Sequence, residues 1–281
     1  MDTKVEKAKN NTYKIDVTID KAKVAEEMEN SLRHEAEHIE IKGFRKGKAP
    51  LNVVRENIDK GKLRNHALNH LLSDAYSRVI KENKLQPIVY PRFNIKQFEE
   101  NKDLTLTITV IEKPEIKIKD YQSVLKKLGK DRKSETPVTN QEVIKVILGN
   151  SDVGIADELV DEEVQRMMSS LIDQTGKMGL TVDQYLQSVN KTVDQLREEY
   201  KKSANDNIKV DFVLTEIAEK EGIKVEDSEI DVAIDAVPDN ASKEALKKPE
   251  QKMYIKAVLL KNKILQKITE YAKEEKNEQS K

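Results

Sequence analysis

The chain has 281 residues, of which 37% are hydrophobic and 36% charged, with four Phe, no Trp and no Cys. The length suggests about two domains, and the shortage of aromatics favours amphipathic helices with much exposed surface over one large core. Lack of Cys excludes disulfides, thiolate metal sites and thiol catalysis. No apolar run approaches the ~18 residues that suggest a membrane span, so a cytoplasmic protein with no membrane partner is expected.

The net charge of −1 hides an asymmetry. Residues 1–113 hold 22 Lys/Arg against 18 Asp/Glu, and residues 42–64 alone hold 8 against 2. A basic patch on a near-neutral chain points to one anionic partner met at one place.

TYKIDVTI alternates Tyr13, Ile15, Val17 and Ile19 with polar residues and predicts a strand. Asp20 can cap a helix whose stripe is Val24, Met28, Leu32, Ala36 and Ile39. After GFRKGKAP, Pro50 suits the start of another helix, with Leu68, Leu71, Leu72, Ala75, Tyr76, Val79 and Ile80 as its apolar face. DLTLTITV then predicts a strand with Leu104, Leu106, Ile108 and Val110 on one side. These elements make an α+β domain over 1–113. Residues 114–140, polar and basic, read as a linker, and 141–281 as an all-α domain. Within it, helices are expected over about 157–175, after Thr181 and over 193–221. The Thr–x–x–Gln spacing at Thr181 and Thr192 gives two capping boxes.

HEAEH, at 34–38, fits the H-E-x-x-H pattern of zinc proteases, with His34 and His38 as ligands and Glu35 as base. The two His fall beside the apolar stripe of their helix, no third-ligand pattern follows, and His66 and His70 form a second i, i+4 pair on another helix. Surface or partly packed histidines are the expected reading, and neither metal nor cofactor is expected.

GFRKGKAP is the stronger feature. Gly43 and Gly47 permit positive φ on both sides of a tip made of Phe44, Arg45 and Lys46. Lys42 and Lys48 flank it and Pro50 stiffens the exit. An apolar ring at the tip of a charged loop fits a partner's pocket, while the cations fit phosphate or carboxylate. An RNA-binding module is one alternative, although no interleaved aromatics form a stacking platform.

This stretch resembles the ribosome-docking signature of the trigger factor family, bacterial chaperones of the polypeptide exit tunnel. NHLLSDAYSRVIKENKLQPIVYP and LTLTITVIEKPEIKIKDY resemble the same family, as do IADELVDEEVQRMMSSLIDQTGKMGL and EIAEKEGIKVEDSEI farther on. The resemblance implies an α+β ribosome-binding domain followed by an all-α elongated arm domain. It implies that Gly43, Phe44, Arg45, Lys46, Gly47, Lys48 and Pro50 meet a ribosomal protein and ribosomal RNA near the tunnel. Nascent or unfolded polypeptides would be the clients, without ATP or another nucleotide. Met167, Met168, Met178 and Met253 are candidates for client contact, since Met adapts to many partners. Family members usually carry a prolyl isomerase domain between the two parts. Here only 33 residues separate Tyr121 from Ile155, with no Phe, Tyr or Trp among them, so that domain and its enzymatic activity are expected to be absent.

Overall fold

A computed structural model of the chain describes residues 1–99, 101–130 and 137–273. It divides into two compact units, Met1–Pro114 and Glu115–Lys281.

In the first unit, β1 (Asp2–Lys7), β2 (Thr12–Ile19), β4 (Leu104–Ile111) and β3 (Arg92–Gln97) lie side by side in that order, every pair antiparallel. The expected alternation sets the register: Ile15 pairs with Ile108 and Val17 with Leu106, so one face of the sheet is continuously apolar. That face is covered by α1 (Lys21–Ala36) and α3 (Lys60–Asn83). Val24, Leu71, Ala75 and Val79 pack on Ile15, Val17, Leu104, Leu106 and Ile108 in one buried cluster. Asp20 caps α1 through a bond from the Ala22 amide, and Asp59 caps α3 through Gly61 and Lys62.

A second, smaller cluster holds Leu32, Ala36, Val54, Ile58 and Leu63, joining the end of α1 to α2 (Leu51–Asn57) and the start of α3. Ile41 and Ala49 pack against it. They bracket the glycine-flanked loop, so its two ends are anchored while its tip is not.

The second unit is largely helical, with one short antiparallel ribbon besides: β5 (Ile116–Ile118) against β6 (Ser151–Val153). Its helices are α4 (Tyr121–Lys130), α5 (Asn140–Gly149), α6 (Asp157–Lys177), α7 (Val182–Ser188), α8 (Val193–Glu221), α9 (Asp227–Asp235), α10 (Asn240–Leu246) and α11 (Pro249–Tyr271). Both expected capping boxes form, Thr181 with Gln184 and Thr192 with Gln195.

The linker expected over 114–140 is corrected wherever that stretch is described. β5 and α4 fall inside it, and Tyr121 and Leu125 are buried. Tyr121, Val124, Leu125 and Leu128 recur at helical spacing, a narrow stripe that the surrounding lysines disguise. Residues 131–136 of that stretch lie outside the described residues.

Candidate functional site

The loop from Lys42 to Lys48 leaves α1 and enters α2 through two tight turns. The Phe44 amide donates to Ile41 O at 3.0 Å, and the Lys48 amide to Arg45 O at 2.9 Å. Gly43 has φ +92° and Gly47 φ +72°, so the backbone reverses at both glycines. Phe44 is 44% exposed, although a phenyl ring would ordinarily be covered. Arg45 and Lys46 stand beside it, also exposed, and Pro50 caps the following helix with extended backbone geometry.

Outside this tip, three of the four other cations of the basic patch are engaged among the described residues, Lys60 being the exception. Lys62 donates to Glu35 at 2.7 Å, Arg55 pairs with Glu29, and Arg64 donates to Phe98 O while lying over the Phe98 ring. These three cations are engaged within the unit. Among the described residues, no carboxylate pairs with Lys42, Arg45, Lys46 or Lys48. The loop therefore presents four uncompensated positive charges around one exposed ring.

The HEAEH stretch does not assemble as a protease. The hydrogen bond from the Lys62 ammonium holds the Glu35 carboxyl below the usual carboxylate range, which disfavours it as a general base. His38 lies past the end of α1, in a turn. The structure nevertheless brings the two His pairs together, which their sequence separation conceals. His34 stacks on His66 with centroids 5.1 Å apart, His38 lies 5.3 Å from His34, and His70 lies 4.5 Å from His66.

The four methionines have unlike surroundings. Met168 packs on the buried cluster of Leu171, Leu186 and Leu196, and Met167 is half-buried. Met178 and Met253 are exposed, by 62% and 74%. Sequence reasoning missed Val232 on α9 and Tyr254 on α11, both about as exposed as Met178, and Ile172 on α6, more than half exposed. By its spacing Ile172 falls on the apolar stripe of α6. Its exposure shows that this stripe is wider than the surface available to cover it. Among the described residues, no helix is long and apolar enough to cross a membrane.

An antiparallel sheet carrying a cationic, glycine-hinged loop, followed by a mainly helical unit, defines a two-part α+β and helical protein. The family described as "Bacterial trigger factor protein (TF)" matches residues 1–148, and "Bacterial trigger factor protein (TF) C-terminus" matches residues 121–270. The chain belongs to the trigger factor family. The two matches overlap, so no residues lie between them.

The trigger factor of Clostridium acetobutylicum is 34% identical over 178 residues, covering 63% of this chain and 40% of that protein. That of Clostridium botulinum strain Hall is 32% identical over 177 residues, with the same two shares. The matched stretch thus spans two fifths of the length of these relatives. A solved structure from work on promiscuous substrate recognition in folding and assembly activities of the trigger factor chaperone has a TM-score of 0.63. It covers 97% of this chain and 100% of its own at 14% identity, a likeness of fold.

Proposed function

We propose that this protein is a ribosome-associated, ATP-independent chaperone of the cytoplasm that shields nascent or unfolded polypeptides. The observation that carries the docking half is the exposed Phe44 beside Arg45 and Lys46, held between two positive-φ glycines with no compensating carboxylate among the described residues. Such a tip fits a ribosomal protein pocket next to an rRNA phosphate surface, the ring supplying apolar burial and the cations charge pairing. Lys42 and Lys48 extend the cationic rim, while Gly43, Gly47 and Pro50 set its shape.

Client shielding is supported by the exposed apolar side chains of the second unit, with Met178 and Met253 as adaptable contacts. Met167 and Met168 are weaker candidates because their side chains are partly committed to packing. Prolyl isomerase activity is not part of the proposal. Tyr121 is committed to its own helix packing, and the residues between it and Ile155 supply no aromatic lining for a proline pocket. The direct test is co-sedimentation with purified ribosomes. Replacement of Phe44, Arg45 and Lys46 by Ala should abolish it while the circular dichroism spectrum is unchanged. Undiminished binding by that variant would overturn the docking assignment.

A further inference from the structure

All four histidines of the chain stand in one row across the α1–α3 packing, in the order His38, His34, His66, His70. Two features of that row exceed simple ring stacking. First, both rings on α3 are held by α1 through the same ring atom. Nδ1 of His66 lies 3.1 Å from the hydroxyl of Ser31, and Nδ1 of His70 lies 3.1 Å from a carboxylate oxygen of Glu27. Ser31 and Glu27 are themselves buried. In the tautomer where Nδ1–H donates to these oxygens, Nε2 of each ring keeps its lone pair free, which is how proteins orient histidines for a metal. Second, one nitrogen of His34, one nitrogen of His66 and one carboxylate oxygen of Glu35 all lie within 4.8 Å of one another.

We propose that this row binds a divalent transition-metal ion, with His34 and His66 as the ligands that bridge the two helices and Glu35 as the third. His38 and His70 extend the row at either end and offer alternative nitrogen donors. Metal–nitrogen bonds of ~2.0–2.1 Å place donors of a tetrahedral site about 3.3 Å apart, so closure from a spacing of up to 4.8 Å needs at most about 1.5 Å of side-chain movement. His34 is exposed, and that side of the site is free to move and to admit water as the remaining ligand. Lys62 reaches only Oε2 of Glu35, which leaves Oε1 for the ion. Two imidazoles and one carboxylate suit Zn²⁺, Ni²⁺ or Cu²⁺, and not Mg²⁺ or Ca²⁺, which take all-oxygen sets. No hydrolytic role follows, because Glu35 is a ligand here and not a base. An ion at this place would tie the end of α1 to α3, directly before the turn whose Glu37 backbone lies close against Gly47 of the loop. The site depends on the geometry of His34, His66 and Glu35 and is independent of the ribosome reading.

The test is calorimetric titration of the full chain, purified without a polyhistidine tag, with Zn²⁺ alone in a non-coordinating buffer. One equivalent should bind with micromolar or tighter affinity, Mg²⁺ should give no saturable heat, and the double variant His34→Ala/His66→Ala should bind at least tenfold more weakly. Absence of a saturable equivalent, or equal binding by the double variant, overturns the proposal. If that variant is misfolded by circular dichroism, electron paramagnetic resonance of the wild-type chain with one equivalent of Cu²⁺ decides. Nitrogen couplings from at least two imidazoles support the site, and an oxygen-only environment overturns it.

Discussion

Gly47 lies against the backbone of Glu37, so closely that a Cβ at position 47 would sit 2.9 Å from the Glu37 carbonyl oxygen. A Cβ at Gly43, on the other side of the loop tip, would meet nothing within 4 Å. Both have positive φ, so any L-residue is strained at either place, at a cost of about 1–2 kcal/mol. Only at Gly47 is a backbone clash added to that strain, and the oxygen it meets belongs to the turn that ends α1. Gly47→Ala is therefore expected to destabilise the chain more than Gly43→Ala. Urea denaturation of the two variants checks this, and an equal or reversed order contradicts it.

Within the tip, the ring and the cations should separate experimentally. Phe44→Ala removes apolar burial and should weaken ribosome binding by a similar factor at low and high salt. Arg45→Ala and Lys46→Ala remove charges, and each cation withdrawn from a phosphate should lower the slope of log affinity against log salt by roughly 0.7–0.9. Sedimentation at a series of salt concentrations reads both effects. A salt slope unchanged by the charge substitutions would exclude phosphate as their partner.

In the second unit, Glu221 at the end of α8 accepts hydrogen bonds from the Tyr121 hydroxyl, from Gln122 Nε2 at 2.9 Å and from the Tyr271 hydroxyl at 3.0 Å. One carboxylate thus ties together α4, α8 and α11. The bond from Tyr121 is the chief cause holding the Glu221 carboxyl below its ordinary value of 4.5. Burial, followed by the same bond, pushes the Tyr121 hydroxyl upward. A depressed carboxylate contributes stability that is present above pH 4.5 and lost as pH falls through the lower folded value. A raised phenol contributes stability present below its ordinary value of 10.0 and lost as pH rises past the folded value. Glu221→Gln should lower stability at pH 7 by about 1–3 kcal/mol and flatten the acid limb below about pH 5. Urea midpoints across that range test it, and an unchanged acid limb would show that another group controls it.

Gly129 makes a close backbone approach in the same unit. A Cβ there would lie 2.1 Å from the Ala272 carbonyl, just past the end of α11. Since the obstacle is backbone, α4 and the end of α11 must separate to admit a methyl group. Gly129→Ala should cost about 1–3 kcal/mol despite its better helix propensity. Gly176→Ala, in open space on α6, should be neutral or stabilising. Thermal melts of the pair provide the comparison.

What could be read from the residues follows from how each element is stabilised. β2 and β4 are half-buried, so Ile15, Val17, Leu106 and Ile108 alternate visibly, and the long helices carry stripes and capping boxes. β1 is exposed along its whole length and held by pairing with β2, which leaves no apolar period in DTKVEK. β3 is bulged between Ile95 and Gln97 and is nowhere fully buried, so its period is broken as well. The loop was legible because its chemistry is local: two glycines, one ring and four cations within seven residues. The histidine row was not, because His34 and His66 meet only through the crossing of two helices. Nor could the second domain's start be placed at 141, since α4 hides a four-residue stripe among lysines.

Met253 and Tyr254 on α11 and Val232 on α9 are each at least two thirds exposed, and α9 and α11 lean on one another through Ile230, Ile234 and Ile255. A flexible thioether, a phenol ring and a branched aliphatic on neighbouring helices can adapt to many apolar segments of an unfolding client. Among the described residues little covers these side chains, so Met253→Glu and Tyr254→Glu should change stability by no more than about 0.5 kcal/mol. The same substitutions should weaken suppression of client aggregation. Shielding of this kind needs exposed surface only, whereas isomerase catalysis must lower a barrier near ~20 kcal/mol by enclosing a proline and its twisted amide. The wild-type chain is therefore expected to reduce light scattering by an aggregating client while leaving a proline-limited refolding phase at its uncatalysed rate. Both assays should use one preparation. A refolding rate that rises with protein concentration, after contaminating isomerases are inhibited, would show a proline site in this chain. Full aggregation suppression by the double variant Met253→Glu/Tyr254→Glu would move the client surface elsewhere, with Met178 and Ile172 on the α6 side as the next place to test.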